Sequence, residues 1–149
     1  RRLSLHLQKT DHIKPLDSAS GWDKALVRHL YDVHQIIQSD PDAISDPENL
    51  ARIVSSVIVH DAIEFENQHP QFYLTPLVQL NDALIWAGES ESLKNQYQSF
   101  VADMVYASPT ETPSFEEALH IFSLTLQTSL ALINAEDIAK SLVTANKIN

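Results

Sequence analysis

Between Lys24 and Ile37 the chain reads KALVRHLYDVHQII, a short stretch carrying two cations, two imidazoles, a phenol and a carboxylate. Wound as an α-helix at about 100° per residue, it places Lys24, Arg28, Tyr31, Asp32 and Gln35 in one quadrant. Trp22, Leu26, Leu30, Val33 and Ile37 form an apolar stripe on the opposite side. Such a polar set can hold a phosphate, orient a base or salt-bridge a neighbouring domain, because Arg and Lys pair strongly with oxyanions. The plain alternative is a solvated helix face, since Lys24, Arg28 and Asp32 at i, i+4 spacing make only weak ion pairs. His29 falls at the edge of the apolar stripe as a boundary histidine, and His34 lies on the other flank.

A second set centres on the His60-Asp61 pair in SSVIVHDAIEF. Helical phosphohydrolases of the HD superfamily surround a divalent ion with a His, a later His-Asp pair and a distant Asp. His34, His60, Asp61 and one of Asp82, Asp103 or Asp137 are the residues available for those parts. Against this stands the plain reading of a two-residue motif, with His60 at a helix surface and Asp61 solvated. Nucleophilic catalysis has no support: there is no Cys and no GxSxG, and Ser55-Ser56 sit inside a helical pattern. Two isolated glycines make neither a P-loop nor a Rossmann turn.

Ten basic residues against twenty acidic ones give a formal charge of -10, which argues against a broad phosphate-tracking surface. Any nucleic-acid contact must be local. The lack of cysteine fits a reducing compartment, and no apolar run approaches the roughly 20 residues needed to span a bilayer, so a cytoplasmic chain without membrane contact is the expectation.

The elements that must position these residues are helical. Apolar residues recur at spacings of three and four, which predicts an all-α fold, a compact bundle of about six helices. Residues 1–21 read as an irregular N-terminal segment or junction in which RLSLHL can form a short strand, and residues 22–149 as a helical domain. The first helix runs from Trp22 to about Gln38. Asp46 with Pro47 caps the second, with Ser45 and Glu48 as an alternative capping box, and Pro70 closes it. Thr75 with Pro76 opens a third, closed by Gly88; a fourth carries Leu93 to Val105; Thr112 and Pro113 open a long, central fifth; Asn134 caps a final helix to about Asn146. Phe65, Phe72 and Tyr73 read as loop anchors.

RHLYDVHQI at 28–36, then HDAIEFENQHPQFY, then LKNQYQSFVADMVYASPTETPSFEEALHIFSLTLQTSLALIN occur in an order that resembles the C-terminal half of AbiEii/AbiGii-type nucleotidyltransferase toxins. The resemblance covers about residues 22–134. It implies a nucleotidyltransferase-like toxin of phage-defence or toxin–antitoxin type, using Mg²⁺ and a nucleoside triphosphate in the full-length enzyme, with an antitoxin as partner. By motif match, Asp32 takes the catalytic position and Lys24, Arg28 and Tyr31 the substrate-binding positions, with no metal ligand assigned within the chain. The family's Gly-Gly-Ser/Thr turn and paired acids on strands have no counterpart in these 149 residues. The expectation is therefore a helical C-terminal domain that joins an N-terminal catalytic core, lines its nucleotide cleft and does not catalyse alone. The rivals are the HD phosphohydrolase and a non-enzymatic helical interaction module.

Overall fold

The computed structural model describes residues 1–5, 24–104 and 112–145, and every regular element among them is helical. Residues 2–5 are helical rather than extended, so the short-strand option for RLSLHL does not hold over them, and residues 6 and 7 lie outside the described residues. After a 3-10 turn at Lys24–Val27 come α1 (Arg28–Ser39), a second 3-10 turn (Pro41–Ile44), α2 (Pro47–Glu64), α3 (Pro70–Leu74), α4 (Pro76–Glu89), α5 (Glu91–Met104), α6 (Phe115–Leu132) and α7 (Ala135–Ala145). Among the described residues no single helix is long and apolar enough to cross a membrane.

Local chemistry explains most of the helix starts. At α2 the Asp46 carboxylate accepts from the Asn49 backbone N–H at 2.9 Å, and Pro47 fills a position whose N–H has no intrahelical partner. Ser45 takes no part in that cap; its hydroxyl donates to the Asp42 carbonyl at 2.7 Å. At α7 the Asn134 side chain accepts from the Glu136 N–H at 2.8 Å. The start of α6 lies beyond Thr112 and Pro113: Ser114 is the cap, and Ser114 with Glu117 forms a reciprocal capping box.

Three further boundaries differ from the sequence expectation. α4 begins at Pro76, yet Thr75 does not cap it, because its hydroxyl donates back to the Gln71 carbonyl at 3.2 Å. Gly88 does not close α4, which runs on through it to Glu89. Phe72 and Tyr73 sit on the short helix α3, opened by Pro70 itself, and Phe72 is buried. Trp22, Val105 and Asn146, named as helix residues or limits, lie outside the described residues.

Packing divides into two clusters bridged by α6. Val27, Leu30, Ala87, Leu93, Tyr97, Phe115 and Ala118 join the first 3-10 turn to α1, α4, α5 and α6. Ile58, Ala62, Phe72, Ile138 and Leu142 join α2, α3 and α7, with Leu130 and Ile133 at the far end of α6 packed against them. Because α6 packs on α1, α2, α4 and α5, it is the central helix, as its apolar length suggested. Buried alanines at 51, 62, 83, 87 and 118 let these helices approach closely, and each fully buried larger side chain contributes about 1.5–3 kcal/mol. Polar ties add direction: Ser4 Oγ donates to Gln79 Oε1 at 2.9 Å, binding residues 2–5 to α4.

Candidate functional site

α1 is held by its inner side. Leu30 is buried in the first cluster, and Tyr31, half-buried, meets Phe100 of α5 edge to face, with ring centroids 6.0 Å apart at 68°. Tyr31 is thus an anchor as well as a member of the polar quadrant; α5 packs on that side of α1, which a single-helix wheel does not register. The outer face carries Arg28 and Asp32. Arg28 Nε donates to Asp32 Oδ2 at 3.2 Å, with Oδ1 at 3.5 Å, and the side chains are 63 % and 38 % exposed. Among the described residues neither group makes a further hydrogen bond or ion pair, which leaves the donors on Nη1 and Nη2 without a partner there.

Lys24 opens the 3-10 turn, so its backbone precedes the α-helical register and the wheel linking it to Arg28 does not extend to it. Its side chain lies outside the described residues. Leu26, Val27 and Leu30, with Leu84, Leu119 and Phe122, line an apolar cavity of about 340 Å³ that also reaches His29. His34 is half-buried, with its Nδ1 buried and without a hydrogen-bond partner among the described residues.

The start of α6 fixes α1 and α5 in place. Tyr97, 1 % exposed, donates its hydroxyl to the Pro113 carbonyl at 3.1 Å and meets Phe115 edge to face at 5.7 Å. Burial, with smaller contributions from Tyr31 and Glu117, pushes this phenol up to about 12. Lys94 of α5 pairs with Glu116 of α6 at 2.6 Å; the hydrogen bond raises the ammonium pKa and lowers that of the carboxyl. Glu117 is held below the usual carboxylate range, first by the Ser114 backbone N–H and then by its hydroxyl. These ties across distant segments have no signature in the sequence, although Phe100 and Tyr97 are legible as apolar-stripe residues of one helix.

The HD arrangement is not assembled. Among the described residues no three His, Asp or Glu side chains converge as metal ligands. Asp61 belongs instead to a structural contact: Arg1 Nε lies 3.4 Å from its Oδ2, without the alignment of a hydrogen bond, and the guanidinium stacks 3.6 Å above the Phe65 ring. His60 is exposed, with Nδ1 3.8 Å from Asp61 Oδ1. Asp82, Asp103 and Asp137 are exposed, and Asp137 pairs with Lys140 at 3.6 Å. His34 stands on α1 and the His60-Asp61 pair on α2.

Residues 8–121, more than half of the chain, match the family described as Nucleotidyl transferase AbiEii toxin, Type IV TA system. The match begins upstream of residue 22 and stops short of the last turns of α6, and it contains the whole of α1. No curated protein matches the chain, and no solved structure does.

Proposed function

Since the chain belongs to the AbiEii nucleotidyl transferase toxin family, and is a nucleotidyltransferase-like toxin of toxin–antitoxin type, we propose that its bundle forms one wall of the nucleotide cleft in such an enzyme. The observation that supports this reading is the outer face of α1, where Arg28 and Asp32 stand exposed side by side on a helix held rigid by Leu30 and Tyr31. Arg28 supplies the cationic contact for a nucleoside triphosphate, and Lys24, four residues earlier on the preceding 3-10 turn, adds a second cation. Tyr31 fixes the rotation of the helix, and Asp32 is the acid of this face. In a chain of net charge -10, a local cation presented this way suits one triphosphate better than an extended nucleic acid.

The donor groups described here do not make a Mg²⁺ site, since no three acids or imidazoles converge. In this reading the metal-holding acids belong to a catalytic core outside these residues, residues 22–149 are the helical domain that closes the cleft, and no catalytic step is assigned to the bundle alone. A toxin of this type has an antitoxin as its biological partner, and the acceptor of the nucleotidyl group, whether nucleic acid or protein, docks against the assembled cleft.

The test is made in the full-length protein. Arg28→Ala and Lys24→Ala are expected to weaken binding of Mg²⁺-nucleoside triphosphates by about tenfold or more and to relieve growth arrest, while the thermal melt stays unchanged. Wild-type nucleotide affinity and toxicity in Arg28→Ala would overturn the reading.

A further inference from the structure

We propose that Asp32 acts through Arg28, as a positioning residue that clamps the guanidinium by its Nε and leaves Nη1 and Nη2 turned toward the phosphate. This rests on the reading that the outer face of α1 meets the nucleotide.

The geometry carries the assignment. The contact is one-sided: the donor is Nε, at 3.2 Å from Oδ2 and 3.5 Å from Oδ1, rather than a fork of the two terminal nitrogens. A guanidinium has five N–H donors in a plane, and engaging the one on Nε orients that plane while leaving the outer pair available for bidentate contact with an oxyanion. Among the described residues Asp32 belongs to no group of three or more acids or imidazoles placed to hold a metal ion, and its carboxylate already accepts from a cation. The pair adds little to the fold, since exposed i, i+4 ion pairs contribute weakly to stability. Its value lies in direction, and α1 is able to give direction: Leu30 in the core and Tyr31 on Phe100 hold the helix against rotation.

The proposal predicts a pattern that neither a catalytic nor a merely structural Asp32 would produce. In the full-length protein, with affinity measured for each Mg²⁺-nucleoside triphosphate and growth arrest measured in cells, Asp32→Ala should weaken nucleotide binding about as much as Arg28→Ala does, roughly tenfold. Asp32→Asn keeps an oxygen to accept from Nε and should stay within about threefold of wild type. In the Arg28→Ala background, Asp32→Ala should cost nothing further, because two residues acting as one are not additive. If Asp32→Ala keeps nucleotide affinity while abolishing arrest, or Asp32→Asn is as impaired as Asp32→Ala, or the double variant multiplies the two losses, Asp32 acts in its own right and the proposal is overturned. Wild-type affinity and arrest in Arg28→Ala alone instead sinks the cleft-wall reading beneath it. Unchanged thermal melts of all four proteins exclude unfolding as the cause.

Discussion

Tyr97→Phe is the sharpest probe of how the first cluster holds α1 to the rest of the bundle. The substitution keeps the ring that packs on Phe115 and removes only the hydroxyl that donates to the Pro113 carbonyl at 3.1 Å. An ordinary internal hydrogen bond contributes about 0.5–1.5 kcal/mol, and a buried acceptor left without its donor costs about 1–3 kcal/mol, so a loss of about 1–2 kcal/mol is expected at pH 8. At about 2–4 °C for each kcal/mol in a chain of this size, the drop in Tm is readily measured. The pH dependence gives a second, independent signature. Burial pushes the phenol from its ordinary 10 up to about 12, so the folded protein binds this proton more tightly than the unfolded chain does. That contribution is fully present below pH 10 and is lost as pH rises from 10 through 12, by at most about 3 kcal/mol. Urea unfolding of wild type and Tyr97→Phe at pH 8, 10, 11 and 12 should show a gap that narrows above pH 10, since titration of the lysines and the other tyrosines is common to both proteins. A gap that stays constant to pH 12, or no gap at pH 8, would refute the reasoning.

Two further substitutions test the helix ends. Ser114→Ala removes the hydroxyl that accepts from the Glu117 N–H at 3.2 Å and should cost about 1 kcal/mol in urea unfolding. Its deficit should shrink in acid, because Glu117 is held below the usual carboxylate range, so its contribution is present above that range and lost as pH falls through the lowered pKa. Gly88→Ala should stabilise the chain by about 0.5–1 kcal/mol, seen as a rise in Tm, because Gly88 lies inside α4 and an added Cβ meets nothing within 4 Å. A loss of stability there would mean that Gly88 serves a contact or motion in α4.

Much of the helical order is local chemistry and was legible residue by residue. Asp46 before Pro47 and Asn134 before α7 each act as the caps their side chains allow, because the cap bond spans only two or three residues and needs no tertiary partner. The same logic fails where two local options compete. Thr75 has both the α4 N–H groups and the Gln71 carbonyl within reach, and the conformation of α3 decides for the carbonyl. Gly88 permits a helix end without requiring one, and α4 continues to Glu89.

The candidate site divides along the same line. That Arg28 and Asp32 share a helix face follows from their spacing of four, and membership of a nucleotidyltransferase toxin family is carried by the order of short motifs along the chain. That Leu30 lies on the side of α1 that meets the core is also written in the apolar stripe. Only the tertiary structure shows Tyr31 turned onto Phe100, the 3-10 register that sets Lys24 apart from Arg28, and the separation of His34 from the His60-Asp61 pair. Each of these depends on which helix packs against which, a matter settled by the summed burial of two clusters bridged by α6 rather than by any residue's own preference. A helical wheel sees one cylinder, whereas a site is made where several meet.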